Sequence, residues 1–391
     1  MSDFFERSLI VHEQLRGKIA LHSKVPVSSR DDLSLAYTPG VARPCEAIQA
    51  EPSRVRELTI KGNSVAVVSD GSAVLGLGNI GPEAAIPVME GKALLFKEFA
   101  GIDAWPICID TQDVDEIVET VRRIAPVFGG VNLEDIAAPR CFAVEQRLQD
   151  LGIPVFHDDQ HGTAIVLLAG LINAASVVGK RLAELSIVIN GAGAAGTAIA
   201  RLLRCVEQDP SICVPVNDVL VCDSKGIIHR ERTDLAEYKQ ALLAHTNRNN
   251  RTGSLKEALV DADVFIGVSK GNLLNAGDVR TMAEHPIILA MANPTPEIMP
   301  DEAFRGGAAI IGTGRSDFPN QVNNVLAFPG IFRGALDAGV SRITEEMKLA
   351  AARALASCVA EPRADQILPD ALDRSVSPRV AEAICSEIEG S

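Results

Sequence analysis

The first half of the chain alternates short apolar runs with longer amphipathic segments. The runs "NSVAVVSD", "WPICIDT" and "IPVFHDD" have the length and composition of buried strands. Between them, "DVDEIVETVRRIAPVF" places Val114, Ile117, Val118 and Val121 at helical spacing. Strands that alternate with amphipathic helices predict an α/β unit in this half of the chain.

The second half repeats the alternation with more strongly apolar strands. A long apolar helix, from about Gly162 to Val178, leads into "LSIVINGAGAAGTAIARLL", which indicates a strand, a glycine-rich turn and a helix. Further strands are predicted in "DVLVCDSKG", "DVFIGVS", "IILAMANPT" and "AAIIGTG", and the segment after "NNVLAFPG" is helical. A chain of 391 residues favours two domains over one.

Composition and charge exclude several classes of partner. A net charge of −14 argues against a nucleic acid or an anionic membrane as partner, although a locally positive site can still bind an anionic substrate. The eight cysteines form no CxxC pair, so zinc ribbons and thioredoxin chemistry are not expected. The opening "MSDFFERSLI" does not resemble a signal peptide. We therefore expect reduced thiols and a cytoplasmic protein.

The segment "GAGAAG" has the pattern of a dinucleotide-binding turn between a strand and a helix. Gly191 permits the tight turn, Gly193 permits close approach of the pyrophosphate, and Gly196 permits close packing of helix and strand. The intervening residues of the turn are Ala192, Ala194 and Ala195. The phosphates would meet free N–H groups at the helix N-terminus.

The same region leaves the choice between NAD and NADP open. Asp223 ends the next strand and suits the ribose hydroxyls of NAD. Lys225, or the loop with Arg248 and Arg251, could instead meet the 2′-phosphate of NADP.

Two carboxylate pairs lie in loops that follow apolar runs. Asp158 and Asp159 stand in "VFHDDQHG", and Glu134 and Asp135 stand in "GVNLEDIAAP". Four carboxylates at strand ends suit Mg²⁺ or Mn²⁺, which prefer hard oxygen ligands. Two alternatives remain: a zinc site built on the histidines that flank the aspartates, or capping of the apolar helix by one aspartate.

Several longer motifs resemble those of one family. They are "LSLAYTPGVARPC", "VVSDGSAVLGLGNIGP", "MEGKALLFKEFAGIDAWPI", "NLEDIAAP", "VFHDDQHGTA", "INGAGAAG", "ANPTPEI" and "NNVLAFPG". In this order they resemble the malic enzymes, over roughly residues 10 to 380. The chain is most similar to the short bacterial form, and it ends where a hybrid form would continue into an acetyltransferase-like domain.

The resemblance implies oxidative decarboxylation of L-malate to pyruvate and CO₂, with reduction of NAD⁺ or NADP⁺ and a requirement for Mg²⁺ or Mn²⁺. Tyr37 falls on the general acid and Lys92 on the general base, with Asp158 as partner of the lysine. Lys92 can accept a proton only if its pKa falls well below the usual lysine value near ~10.4. Burial and a nearby dication would lower the pKa of Lys92 in this way. Lys97 is an alternative base.

The other site residues implied by the resemblance bind metal, substrate and cofactor. The metal ligands are Glu134, Asp135 and Asp159. The amides that bind substrate are Asn293, which we also place among the cofactor contacts, and Asn324. Ala73 stands where longer eukaryotic forms carry a carboxylate-binding arginine, so Ser72, backbone amides or Arg43 would have to substitute.

The expected architecture is a Rossmann dinucleotide-binding domain together with an N-terminal α/β domain that C-terminal helices complete. We place the boundaries at residues 1–158, 159–323 and 324–391, with the active site between domains. A homodimer or higher homo-oligomer is implied, in which Tyr37 and Lys92 come from different subunits. Rival functions are an amino-acid dehydrogenase, a malolactic enzyme and a silent dinucleotide-binding protein.

Overall fold

The computed structural model describes residues 2–74 and 76–389. The N-terminal helices are α1 (Ser2–Leu15), α2 (Arg30–Ala36), α3 (Ala42–Ala50) and α4 (Val55–Leu58). The first α/β unit contains β1 (Ser64–Ser69), α5 (Pro82–Ala100), β2 (Asp103–Cys108), α6 (Val114–Ile124), β3 (Gly130–Leu133), α7 (Arg140–Leu148) and β4 (Val155–His157). Its four strands form one parallel sheet in the order β2-β1-β3-β4.

The second α/β unit follows helix α8 (Asp158–Val177). It contains β5 (Ser186–Asn190), α9 (Ala194–Leu203), β6 (Asp218–Asp223), β7 (Gly226–Ile227), α10 (Glu237–Leu242), α11 (Leu255–Leu259), β8 (Val264–Gly267), α12 (Ala276–Val279), β9 (Ile287–Ala290), α13 (Pro300–Arg305) and β10 (Ile310–Thr313). The strand order is β10-β9-β8-β5-β6-β7, parallel except for β7. This is the Rossmann-type sheet that the sequence predicts.

Three C-terminal helices complete the chain: α14 (Phe328–Asp337), α15 (Glu345–Ser357) and α16 (Val376–Glu389). Helices α14 and α16 pack on each other and on α5 of the first unit, whereas α15 packs on α8 and α16. The domain boundaries themselves stay a prediction, and their outermost residues, 1, 390 and 391, lie outside the described part of the chain.

Each strand forms where the chain carries a short apolar run, because strands covered on both faces are buried throughout. The burial is continuous along β1, β3, β8, β9 and β10. Helix α6 is amphipathic as predicted: Ile117, Val118 and Val121 are buried, and Asp113 caps its N-terminus through hydrogen bonds to the N–H groups of Asp115 and Glu116. Such a cap contributes about 1 kcal/mol.

Helix α8 is the central helix of the protein. Among the described residues it is the one helix long and apolar enough to cross a membrane, but 72% of its most apolar window is buried inside the protein. It begins at Asp158, four residues earlier than the sequence predicts, and packs against α9 and α15. Its length and hydrophobicity are therefore those of a core helix.

The cysteines depart from one expectation. Cys205 and Cys213 form a disulfide, with their Cα atoms 5.9 Å apart. The expectation of reduced thiols throughout is therefore wrong at this pair. The pairing was not visible in the sequence because the chain leaves α9 at Cys205 and turns back before β6, which brings two residues without a CxxC spacing together.

Candidate functional site

The carboxyl ends of β1, β3 and β4 meet at one edge of the first sheet, because all its strands are parallel. The residues that follow these strands are polar and mostly buried: Asp70 after β1, Glu134 and Asp135 after β3, and Asp158 and Asp159 after β4. The two predicted carboxylate pairs are thus brought together. Strand β3, the apolar run before Glu134, lies between β1 and β4 and places Glu134 beside the β4 end.

Lys92 reaches this edge from α5, where its side chain is 8% exposed. Its Nζ lies 2.6 Å from Asp158 Oδ2 and 2.9 Å from Glu134 Oε1. The same Nζ sits 4.3 Å from the centre of the Phe328 ring, a cation–π contact. Asn324 Nδ2 donates to Asp158 Oδ2 as well. The predicted base, its carboxylate partner and one predicted substrate amide therefore form one network.

The charge state of Lys92 is set by its neighbours. Burial alone favours the neutral amine, but Asp158 and Glu134 outweigh burial and hold the pKa of Lys92 above its ordinary value. The sequence-based expectation of a lowered pKa concerns a site that also holds a dication, and for that state it stays a prediction.

Glu134, Asp135 and Asp159 form a compact group of carboxylates. One oxygen from each lies within 4.8 Å of the others, and among the described residues this is the one group of three or more ligand-type side chains so arranged. The Asp135 N–H donates to Asp159 Oδ2 at 2.7 Å, whereas Asp135 Oδ2 is buried without a hydrogen-bond partner. An orphaned carboxylate oxygen beside two others is the donor set that a hard dication requires.

Electrostatics support the same interpretation. Burial, followed by repulsion from Asp159 and Glu134, raises the pKa of Asp135 to about 9. Burial also raises the pKa of Glu134 to about 7, against the attraction of Lys92, and that of Asp159 to about 6. These carboxyl groups bind protons more strongly than usual because they are buried and because their negative charges repel one another. A bound dication would relieve that repulsion.

The start of α8 tests the alternative that an aspartate caps this helix. The N-cap is His157, without a side-chain capping bond, and Asp158 and Asp159 lie inside the first turn. The prediction that an aspartate caps this helix is therefore wrong, because the helix begins directly at the aspartates. Gly162 makes room for them: a Cβ at this position would lie 1.8 Å from Asp158 Oδ1.

The histidines do not form a zinc site of their own. His161 Nε2 lies 3.0 Å from Glu145, and Lys348 Nζ lies 3.1 Å from His161 Nδ1. His157 is fully buried, and its Nε2 lies 3.5 Å from Asp159 Oδ2. The two rings thus contact different partners, which leaves the three-carboxylate group as the candidate metal centre.

The glycine turn has the structure that its sequence predicts. Gly191 has φ +127°, and a Cβ there would lie 2.6 Å from Val268 O. A Cβ on Gly196 would lie 1.8 Å from Gly191 O. A Cβ on Gly193, in contrast, would meet nothing within 4 Å. Gly191 and Gly196 are thus required by the fold, whereas Gly193 borders open space at the start of α9, where the sequence predicts the pyrophosphate.

Asp223 ends β6 beside this turn, but its carboxylate is already paired. Arg232 contacts both of its oxygens, at 2.8 and 3.1 Å, and Lys239 Nζ lies 2.8 Å from Oδ2. Burial alone would raise the pKa of Asp223, but these hydrogen bonds lower it to about 2. Arg232 and Lys239 lie nine and sixteen residues away in sequence, so their role could not be read from spacing.

The remaining predicted residues lie around the cleft or outside it. Asn293 follows β9 in the second unit. Its carbonyl oxygen lies close to Gly76 of the first unit: a Cβ added to this glycine would be 3.2 Å away, so the two units touch here. Ser72 Oγ accepts the Ala137 N–H at 2.9 Å, which ties the loop after β1 to the loop that carries Asp135. Tyr37 ends α2 and is 66% exposed, outside the buried network.

Two alternatives from the sequence lie on the surface. Lys97 is 51% exposed and pairs with Asp103 at 2.8 Å. Arg43, the candidate substitute for the missing arginine, is 85% exposed and pairs with Glu46. Neither is positioned in the buried network around Lys92.

Sequence reasoning missed the residues that hold the charged groups in place. Asn132 Nδ2 donates to Glu134 Oε2 at 2.9 Å, and Glu145 accepts from the His157 N–H at 3.0 Å and from Gln160 at 2.9 Å. A signal existed for Asn132, since it is a polar residue inside an apolar strand. Glu145 gave none, because on α7 it could equally face solvent.

Comparison with known families identifies both halves of the chain. The sequence profile described as "Malic enzyme, N-terminal domain" matches residues 16–149, and the profile described as "Malic enzyme, NAD binding domain" matches residues 160–389. The two profiles meet near the start of α8.

Individual relatives match over nearly the whole chain. A "Bifunctional malic/malolactic enzyme" of Bacillus subtilis is 56% identical over 97% of this chain and 92% of its own length. An "NAD-dependent malic enzyme" of Geobacillus stearothermophilus is 54% identical over 97% and 78%, respectively. The crystal structure of the NAD-dependent malic enzyme of Thermotoga maritima is 47% identical, covers 96% of this chain and 98% of its own, and superposes with a TM-score of 0.92.

Proposed function

The chain belongs to the malic enzyme family, and we propose that it converts L-malate to pyruvate and CO₂ while C2 of malate gives a hydride to NAD⁺ or NADP⁺. The observation that carries this proposal is one shared residue: Glu134 contacts the Lys92 ammonium and also belongs to the three-carboxylate group. A proton-transfer group and a metal centre that share a ligand can act on neighbouring atoms of one small substrate.

Glu134, Asp135 and Asp159 would hold Mg²⁺ or Mn²⁺. When bound, such a cation would chelate the C1 carboxylate and C2 oxygen of malate and polarise the carbonyl formed at C2. Asn324, which precedes α14, donates to Asp158, Ser72 fixes the loop after β1, and Asn293 lies where the first and second units touch. We propose that these residues orient malate, with the dinucleotide on the turn from Gly191 to Gly196.

Lys92 is proposed to take the proton from the C2 hydroxyl. It must be neutral to do so, and the flanking carboxylates oppose this by favouring the ammonium form. Asp158 would accept the proton from Nζ once a dication held by Glu134 weakens the attraction of that carboxylate for the amine. A proton shared between Nζ and Oδ2, 2.6 Å apart, needs little movement to change sides. Tyr37 would then supply the proton that C3 requires after CO₂ leaves.

Tyr37 is exposed in one chain, which suggests how it reaches the site. It lies on the N-terminal arm, residues 4–58, whose large apolar side chains are widely exposed; they include Phe4, Phe5, Leu9, Ile10, Leu15, Leu21, Val25, Leu33 and Leu35. An apolar surface of this kind marks an interface. We propose a homodimer or higher homo-oligomer in which the arm of one subunit brings Tyr37 to the Lys92 network of another.

A mixing experiment tests this arrangement. Tyr37→Phe and Lys92→Met homo-oligomers would each be inactive, and co-refolded mixtures should regain part of the activity because some sites then receive both residues. If the mixtures stay inactive while each variant retains the wild-type mass by light scattering, Tyr37 acts within its own chain.

The reaction itself is tested by following the absorbance of the reduced nicotinamide. Purified protein would be incubated with L-malate and Mn²⁺, in parallel with NAD⁺ and NADP⁺, with and without EDTA, and pyruvate would be assayed at the end point. Metal-dependent reduction matched one-to-one by pyruvate is the expected result. No reduction with either cofactor would contradict the oxidative function.

A second candidate function is malolactic decarboxylation, which yields lactate without net reduction of the cofactor. The Bacillus subtilis relative is named as both a malic and a malolactic enzyme, which is the reason to test the malolactic reaction here. The same incubation separates the two functions, because lactate formed without accumulation of reduced cofactor identifies the malolactic reaction.

Two further proposals concern context. We propose that the protein acts in the cytoplasm, and that residues 1–158, 159–323 and 324–391 are an N-terminal catalytic domain, a dinucleotide-binding domain and a helical completion of the first domain. The packing of α14 and α16 on α5 supports this division.

A further inference from the structure

Two lysines are buried among the described residues, and the proposed mechanism uses one of them. Lys92 belongs to the catalytic network, whereas Lys348 lies on α15 and is 6% exposed. A buried ammonium group is stable only where charged or hydrogen-bonding partners offset its desolvation. The partners of Lys348 therefore indicate what this second buried cation does.

Lys348 belongs to a series of polar contacts that runs from α15 across α8 to α7, and we call it the α15–α7 chain. Its members are Glu345, Lys348, His161 and Glu145. Lys348 Nζ lies 2.7 Å from Glu345 Oε1 and 3.1 Å from His161 Nδ1, and His161 Nε2 lies 3.0 Å from the Glu145 carboxylate. Because an ammonium group only donates, His161 Nδ1 accepts, and Nε2 carries the proton that is donated to Glu145.

Glu145 holds the backbone at the point where the chain enters the candidate site. β4 is an edge strand of the first sheet, so one of its sides has no neighbouring strand. Glu145 Oε1 accepts the His157 N–H at 3.0 Å, and its other oxygen accepts from Gln160 Nε2 at 2.9 Å. These two anchored residues stand on either side of Asp158 and Asp159, so Glu145 fixes the segment that carries both aspartates.

The charge of Lys348 strengthens this anchor. The Glu145 side chain is 12% exposed, and burial alone would raise the pKa of Glu145, but His161 and Lys348 lower it to about 2. Glu145 is therefore ionised. An ionised carboxylate makes stronger hydrogen bonds to N–H groups than a neutral carboxyl group does.

We infer that Lys348 is a positioning residue for the metal centre, and that it acts through His161 and Glu145 on the segment with Asp158 and Asp159. The inference rests on the proposed function. When the α15–α7 chain is broken, the segment loses its anchor on α7, and the Asp159 carboxylate no longer stays in the three-carboxylate group. Helix α15 thereby takes part in the chemistry although none of its residues lies in the metal centre.

The inference is tested by titrating the full chain with Mn²⁺ in the absence of malate, using the electron paramagnetic resonance signal of the free ion. Partners outside the ligands are worth about 10- to 100-fold in metal affinity. We expect Glu145→Gln to weaken Mn²⁺ binding by about tenfold, and Lys348→Met, one step further away, by roughly three- to tenfold. Dinucleotide affinity should not change in either variant, because the glycine turn lies outside the α15–α7 chain.

A double variant and a matched control separate positioning from general destabilisation. Combining Lys348→Met with Glu145→Gln should weaken Mn²⁺ binding no further than Glu145→Gln alone, because residues of one network are not additive. Lys180 lies just beyond the other end of α8, is 22% exposed and pairs with Asp263 at 2.6 Å. Lys180→Met also removes a shielded ion pair beside α8, and it should keep the wild-type affinity for Mn²⁺.

The inference is overturned if Lys348→Met binds Mn²⁺ as the wild type does, if the two substitutions are fully additive, or if Lys180→Met or dinucleotide affinity shows an equal loss. Should Lys348→Met fail to fold by circular dichroism, His161→Leu breaks the chain at its centre and decides the question by the same criteria. A wild-type chain that binds Mn²⁺ but does not turn over malate would contradict the proposed reaction and not the role of Lys348.

Discussion

Two groups of carboxylates lie at the carboxyl ends of parallel strands in this protein, and their charge balance is opposite. At the first sheet, Glu134, Asp135, Asp158 and Asp159 lie around one buried cation, Lys92, which pairs with Glu134 and Asp158. At the second sheet, Asp223 and Asp234 face three cations. The first group lacks positive charge and suits a dication, whereas the carboxylates of the second group are already neutralised by cations of the protein itself.

The difference shows that the position of an aspartate after a strand does not by itself reveal what the aspartate binds. Burial and like charges raise the pKa of Asp135 to about 9, whereas hydrogen bonds from Arg232 and Lys239 overcome burial and lower that of Asp223 to about 2. Both residues are aspartates that follow a strand, so the neighbouring groups account for the difference between their pKa values.

The largest effect is expected from removal of the one cation in the first group. Lys92→Met should lower kcat by at least about 10³-fold, within the range of general acid–base catalysis. The variant would also leave Asp158 and Glu134 without their buried partner, so malate turnover and thermal unfolding should both be measured. Lys97→Met, which removes a surface lysine of the same helix, is the control and should retain activity; an equal loss there would contradict the assignment of Lys92.

The next effect concerns the dication itself. Asp159→Asn should weaken Mn²⁺ binding by about a hundredfold or more, because it removes one of three charged ligands and the outer partners alone are worth 10- to 100-fold. Free Mn²⁺ can be counted by its electron paramagnetic resonance signal. Asp103→Asn, which removes a carboxylate paired with Lys97, should bind Mn²⁺ as the wild type does. Unchanged binding in Asp159→Asn would place the ion elsewhere.

Two glycine variants at the second sheet separate a role in folding from a role in dinucleotide binding. Gly196→Ala should destabilise the protein by roughly 1–3 kcal/mol, because its Cβ would overlap Gly191 O and the helix must move. Gly193→Ala borders open space, so its unfolding free energy should stay within about 1 kcal/mol while dinucleotide affinity falls. Urea unfolding and nucleotide titration separate the two, and equal destabilisation would mean that Gly193 serves the fold.

The smallest effect is a pH dependence of stability in the metal-free protein. Asp135 titrates at about 9 and Glu134 and Asp158 at about 7 when folded, whereas unfolded carboxyls titrate near ~4. Between these values the folded state binds more protons, so the unfolding free energy should fall as pH rises, by at least about 1 kcal/mol from pH ~6 to pH ~8. Asp135→Asn should flatten the slope, and Mn²⁺ should stabilise more at the higher pH. A slope unchanged by Asp135→Asn would refute the raised pKa.

The sequence predicts those parts of the molecule that depend on local patterns. The apolar runs of β1 and β6, the amphipathic α6 and the three glycines of the turn each carry their own signal, and all were found. The carboxylate pairs were visible as pairs. What joins them was not visible, because the sequence does not show that β3 lies beside β4 in the sheet, with β1 on its other side.

Contacts between distant segments account for the remaining differences. The pKa of Lys92 depends on Glu134 and Asp158, which are 42 and 66 residues away, and spacing says nothing about their distance in space. The partners of Asp223 come from the loop after β7 and from α10. The start of α8 was misplaced because aspartates before an apolar helix are typical caps, whereas here the helix continues back through them to β4.

The direct junction of β4 and α8 also restricts how this protein can vary in length. β4 ends at His157 and α8 begins at Asp158, so no loop residue separates them. An inserted residue would rotate the following side chains by about 100° around the helix axis. Asp158 would then turn away from Lys92 and Asp159 from Asp135. Insertions and deletions in natural relatives should therefore avoid this junction and accumulate instead in connections such as residues 204–217, between α9 and β6, where added length leaves the register of the site unchanged.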